Sequence, residues 1–130
     1  MILIDTSAWI EFLRDTGSTT ATRVRDCLIR EEVATCGAVY MEVLAGARSE
    51  RHLMELRRLL ARAAMIAIEA TDYDQAASLY RHCRRGGETI RSLVDCLIAA
   101  AAIRAGVPVL HHDADFDALA RHSPLLIDRS

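Results

Sequence analysis

Short, uninterrupted apolar runs alternate with longer segments of helical period along this chain, and that alternation narrows the fold more than any other feature. Ile2-Leu3-Ile4, Val33-Ala34-Thr35, Met65-Ile66-Ala67-Ile68 and Val107-Pro108-Val109-Leu110 each read as a strand. Leu125-Leu126-Ile127 reads as a further edge strand. A run apolar on both faces suits a central parallel strand, which is covered above and below. Strands alternating with helices imply a parallel sheet sandwiched by helices. The expected fold class is therefore α/β: one domain over residues 1–130, a central, mostly parallel sheet of four to five strands, and helices on both faces. A helical bundle leaves the short β-branched runs, bounded by capping or turn residues, unexplained.

The intervening segments carry helix punctuation. Asp5-Thr6-Ser7 offers three capping residues ahead of Trp9, Phe12 and Leu13 at helical spacing. Thr20 or Thr22 opens a second helix, and Gly37 precedes a third over 38–47. Residues 48–63 form an amphipathic helix with Leu53, Leu56, Leu59 and Leu60 on one face. Thr71-Asp72 starts a helix that ends at Gly86-Gly87. Ser92 caps a helix over 93–105 that is apolar nearly all round, which predicts deep burial. A last helix spans 113–122.

A chain of 130 residues can bury a core without disulfide or metal staples. With 52% apolar and 26% charged residues it is not a disordered sequence. The stretch from Cys96 to Ile103 is too short to span a bilayer, and Asp5 leaves no room for a secretory hydrophobic region. No membrane association and a cytoplasmic location are the expectation. The four cysteines form no CxxC or Cys/His finger and are expected as reduced core residues. All 16 basic residues are arginine. Arginine suits bidentate pairing with phosphate, although GC-rich coding gives the same bias.

Several acids resist a surface reading. In open parallel sheets, chemistry gathers at the carboxyl ends of strands. Asp5 follows the first strand; Asp113 follows the Val109-Leu110 strand, with Asp115 two residues on. Glu42 shares a helical face with Ala38 and Ala45, and Asp95 lies in the first turn of the most apolar helix. Each alone has a simpler reading. Asp5 could be an N-cap only, Asp95 a capping-box variant with Ser92, Asp113 and Asp115 first-turn acids, and Glu42 half-exposed. If several converge, their repulsion needs a divalent cation, because buried carboxylates are costly unless paired. Oxygen-only ligands favour Mg²⁺ or Mn²⁺ over zinc.

Four segments then fall in a familiar order: Ile2-Leu3-Ile4-Asp5-Thr6-Ser7-Ala8-Trp9, Glu42-Val43-Leu44-Ala45-Gly46, Asp95-Cys96-Leu97-Ile98-Ala99-Ala100, and Leu110-His111-His112-Asp113-Ala114-Asp115-Phe116. Together they make the chain resemble the PIN-domain ribonucleases, and within them the VapC toxins of type II toxin–antitoxin systems, over essentially its whole length. The resemblance implies a single PIN-like domain with Asp5, Glu42, Asp95 and Asp113 as catalytic acids. It also implies that Asp5, Asp95 and Asp113 hold Mg²⁺, with Mn²⁺ able to substitute, that Asp115 helps bind the metal directly or through water, and that Thr6 and Ser7 orient a carboxylate or a metal-bound water. The His111-His112 pair departs from the Thr or Ser usual in the family before the fourth acid, which leaves the part played by His112 open.

In activity, the resemblance implies a metal-dependent endoribonuclease that leaves 5′-phosphate and 3′-hydroxyl ends. Its partners would be an RNA substrate, a VapB-type antitoxin, and a second copy of itself in a homodimer or toxin–antitoxin hetero-oligomer. With the five acids set aside, thirteen others face sixteen arginines, so the remainder is mildly basic. Arg84, Arg85 and Arg91, flanking Gly86-Gly87, are the expected phosphate contacts. Aromatic residues are only 5%, too few for broad base stacking. A haloacid-dehalogenase-type phosphatase needs a second aspartate where this chain has Ser7. A non-catalytic RNA-binding or protein-interaction module on the same fold is the other reading.

Overall fold

The computed structural model describes residues 1–129. The elements run β1 (Ile2–Ile4), α1 (Thr6–Leu13), α2 (Thr19–Ile29), β2 (Val33–Cys36), α3 (Gly37–Ala45), α4 (Glu50–Leu60), β3 (Ala64–Ile66), α5 (Ala70–Arg85), α6 (Leu93–Ala105), β4 (Val109–Leu110) and α7 (Ala114–Arg121). The four strands form one parallel sheet in the order β3-β2-β1-β4.

Burial explains why the apolar runs became strands. Every residue of β1, β2 and β4 is buried, β1 and β2 because they are inner strands of a parallel sheet and β4, at the other edge, because residues 126–128 cover its outer side. Leu3 sits at the centre of the register, opposite Ala34 on one side and Val109 on the other. Pro108, which has no N–H to give, lies just before β4 and uses its carbonyl to accept from Leu3 N–H at 2.9 Å. β3 lies at the sheet edge, with Ala64 and Met65 exposed, and it stops at Ile66 instead of running to Ile68 as the sequence suggests.

The expected edge strand at 125–127 reduces to one parallel bridge between Ile127 and Val109. The N–H of Val109 donates to the Leu126 carbonyl, and Asp128 N–H donates to the Val109 carbonyl, both at 2.9 Å. Those two bonds cover the outer side of β4 without making a strand. The second helix starts earlier than expected, because the Ser18 hydroxyl caps it by accepting from Ala21 N–H.

The strand order positions the site. Successive connections move from β1 to β2 to β3, and the α5–α6 connection then returns to the far side of β1. Crossovers between parallel strands share one hand, so the α1–α4 connections and the α5–α6 connection cover opposite faces. The direction of winding reverses between β1 and β4. A crevice opens at such a reversal, beyond the carboxyl ends of the strands, and Asp5 and Asp113 occupy those two ends. Trp9, Phe116, Ile98 and Leu119 fill the core beneath, and all four cysteines are buried and free. At the far end of α6, Arg104 grips the buried Asp72 of α5 and joins the two helices away from the crevice.

Candidate active site

Each acid has its local role, and each local role leaves something over. Asp5 caps α1: its Oδ2 accepts the Ser7 N–H at 3.0 Å and the Ser7 hydroxyl at 2.6 Å. Its Oδ1 is buried and has no hydrogen-bond partner, in a residue only 3% exposed. A cap therefore accounts for one oxygen and not the other. Asp113 caps α7 by accepting Asp115 N–H at 3.0 Å. The capping box expected as the simpler reading of Asp95 does not form: the Ser92 hydroxyl takes the Val94 N–H, and among the described residues no hydrogen bond ties the Asp95 carboxylate. Glu42, half-buried on α3, accepts the Thr6 hydroxyl at 2.9 Å. Its small-residue face is shorter than the periodicity suggests, since Ala38 is buried but Ala45 is exposed.

The acids share one electrostatic neighbourhood. Asp95, Asp113 and Asp115 each offer an oxygen within 4.8 Å of the other two. Burial pushes the Asp95 carboxyl up to about 7, with the charges of Asp5, Asp113, Glu42 and Asp115 adding to the rise. Burial is also the main cause that raises Asp5, against the opposing Ser7 hydrogen bonds, and Asp113 raises it further. Glu42 is raised by burial and by Asp5, with the Thr6 hydrogen bond opposing. An all-oxygen donor set, three convergent carboxylates and an orphaned buried oxygen fit a hard divalent cation.

Arg91 reaches this cluster across the crevice mouth. Its Nη2 donates to Asp113 Oδ1 at 2.8 Å and its Nε to Asp115 Oδ2 at 3.0 Å, and its backbone N–H also donates to Asp115 Oδ2 at 3.1 Å. The side chain is 74% exposed, so the pair is solvent-screened and readily opened. The other two arginines expected from the sequence lie elsewhere. Arg84 stacks on Tyr80, and Arg85 precedes Gly86, which packs under the His122 ring at the opposite end of α7. Eight residues of helix separate that end from Asp113, about 12 Å.

The histidines divide. The His112 backbone N–H donates to the Ser7 hydroxyl at 2.9 Å, which links the β1 and β4 ends of the crevice. Its imidazole turns outward to Thr20 at 3.3 Å and Glu11 at 3.7 Å, a structural position. His111 has a part that the sequence does not reveal. It accepts Asp113 N–H at 3.0 Å, stacks on Phe116 and approaches Asp117 at 3.3 Å, so it braces the turn that presents Asp113. Arg14, Arg48 and His52 are missed as well. They line a groove shared with Thr6 and Glu42, and the only hint in the sequence is that Arg14 and Arg48 each follow a helix bearing a site residue.

A family model described as PIN domain matches residues 2–122. Ribonuclease VapC11 of Mycobacterium tuberculosis and VapC ribonuclease Mb1587 of Mycobacterium bovis are each 48% identical over 124 residues, covering 93% of this chain and 92% of theirs. Among solved structures, VapBC2 from Rickettsia felis, bound to a promoter DNA fragment, aligns with a TM-score of 0.78 at 18% identity over 98% of both chains. The Mycobacterium tuberculosis toxin VapC20, described as cleaving the sarcin–ricin loop, aligns with a TM-score of 0.68 at 23% identity, over 97% of this chain and 99% of its own.

Proposed function

This chain belongs to the PIN-domain family and, within it, to the VapC ribonucleases, and on that premise we propose how it cuts RNA. The observation that carries the reading is the convergence of Asp5, Glu42, Asp95, Asp113 and Asp115 on one crevice, with the buried Oδ1 of Asp5 left unpaired. Asp5, Asp95, Asp113 and Asp115 are the residues that would hold Mg²⁺, with Mn²⁺ as a substitute. A bound divalent cation supplies phosphate neutralisation and a water acidified toward neutral pH. Glu42, held by the Thr6 hydroxyl, positions the attacking water and takes its proton at a carboxylate oxygen. Ser7 fixes Asp5 through Oδ2, which leaves the unpaired Oδ1 as the oxygen that would hold the ion. Arg91 balances Asp113 and Asp115, and its exposed guanidinium is suited to pair with a phosphate of the bound strand.

Hydrolysis on this plan leaves 5′-phosphate and 3′-hydroxyl ends. One PIN domain over residues 1–130 serves as the endoribonuclease toxin of a toxin–antitoxin pair. It acts in the cytoplasm as a homodimer and is neutralised in a hetero-oligomer with a VapB-type antitoxin. No helix among the described residues is long and apolar enough to cross a membrane. A non-catalytic binding module would have no need of all four acids, and all four are present. The test is incubation of the purified chain with structured RNA in Mg²⁺ or in EDTA, alongside Asp5→Asn. Cleavage is expected only with metal and only in the parent; cleavage that persists in EDTA or in the variant overturns the reading.

A further inference from the structure

We propose that the groove between α1, α3 and α4 seats the RNA strand beside the cleaved bond, with Arg14 and Arg48 as its phosphate contacts. This inference rests on the ribonuclease reading. The groove has a volume of about 280 Å³, and Thr6, Glu42, Arg14, Arg48, His52 and Leu56 are among its lining residues. Thr6 and Glu42 are the hydrogen-bonded pair of the acidic crevice, so groove and crevice share a wall. A strand lying in the groove passes directly to the acids.

Charge decides what the groove takes. The crevice itself repels phosphates, so a polyanion must be held by cations next to it. Arg14 is the C-cap of α1, and Arg48 lies in the turn between α3 and α4. Both are exposed, and among the described residues neither guanidinium donates a hydrogen bond or joins an ion pair. Arg23, Arg91, Arg104 and Arg121 are by contrast engaged with carboxylates. His52 adds a donor. Its Nδ1 accepts the Arg48 N–H at 3.1 Å, which places the proton of the neutral ring on Nε2. The buried Leu56 gives an apolar floor for a ribose or base. The sequence points to Arg84, Arg85 and Arg91 as phosphate contacts; Arg91 lies at the acids and the first two near the far end of α7, whereas the groove adds contacts on the Glu42 side.

The experiment measures binding apart from cleavage. Asp5→Asn, which leaves the strand intact, is titrated with a fluorescent single-stranded RNA oligonucleotide across a salt series. Adding Arg14→Ala and Arg48→Ala to that background is expected to weaken binding. It should also flatten the log affinity against log salt line by about 1.4, since each lost phosphate contact on a single strand removes about 0.7. Arg57→Ala with Arg58→Ala removes the same charge from α4 at exposed positions outside the groove and is expected to leave the slope unchanged. An unchanged slope in the groove variant overturns the proposal and leaves the groove to an acidic peptide of a partner. An equal loss in the control also overturns it, by assigning the effect to net charge. If the Asp5→Asn parent binds no RNA, and the unmodified chain cuts none, the ribonuclease reading itself fails.

Discussion

At Asp5 the two carboxylate oxygens have different fates, and the difference separates fold from function. Oδ2 is spent on the start of α1, while Oδ1 is buried without a partner. The sequence makes Asp5 visible through its place after an apolar run, and Asp113 through the same logic. It does not tell which oxygen is free, because that depends on how Ser7 turns. Arg91 is legible as a cation near the site but not as the partner of Asp113 and Asp115, since that needs the path of the preceding loop. Asp95 carries a residue-scale prediction. Its folded value lies near 7, above that of an unfolded carboxyl, so the folded chain retains a proton the unfolded chain has lost. Its contribution to stability is complete below the ordinary carboxylate range and disappears as pH rises through about 7. Melts of the metal-free protein in EDTA from about pH 4 to about pH 8, which brackets the interval between the ordinary carboxylate value and about 7, should show Asp95→Asn more stable than the parent at the alkaline end. The gap should close toward the acidic end, and a gap independent of pH would contradict the assignment.

The element that most shapes the site is the connection from α5 to α6. It runs back along α7: Gly86 lies under His122, Glu88 pairs with both Arg121 and His122, Ile90 is buried, and Arg91 reaches Asp113 and Asp115. Arg121 and His122 together pull Glu88 down to about 2. The sequence places α6 at 93–105, matching Leu93–Ala105, because Ser92 and Gly106 mark its ends. The connection has no such markers beyond two glycines, and its pairing with α7 is non-local. Gly86 has no room for a side chain, because a Cβ there would overlap the His122 ring that Glu88 holds in place. Gly86→Ala is expected to cost about 1–3 kcal/mol by overpacking, measured by urea unfolding. Loss of the His122 ring in His122→Ala should restore part of it, and additive costs would show that the two positions do not interact.

At the scale of the molecule, the reversal of strand order between β1 and β4 matters more than any single contact. It brings acids from the three connections and from the segment after β4 to one crevice. The sequence supports a parallel sheet but not its order, because nothing local specifies that β4 pairs with β1 instead of β3. The sequence also extends the sheet to 125–127, where only Ile127 bridges to Val109; an apolar triplet looks the same whether it pairs along its length or once. A site built from repelling carboxylates should couple metal to global stability. Mg²⁺ at about a hundred times its Kd is expected to add about 2.7 kcal/mol of stability, read as a rise in Tm that EDTA reverses. Asp113→Asn combined with Asp115→Asn should abolish the rise, and a rise that survives in that variant would move the ion elsewhere.

The wide scatter of the acids along the chain has a consequence for how the protein is made. Synthesis proceeds from the amino end, and segments fold as they emerge. A nascent copy bearing Asp5, Glu42 and Asp95 still lacks β4 and α7, and with them Asp113 and Asp115. On the proposed assignment, such a copy holds three of the five acids and cannot cut until the segment that carries the other two has emerged and folded.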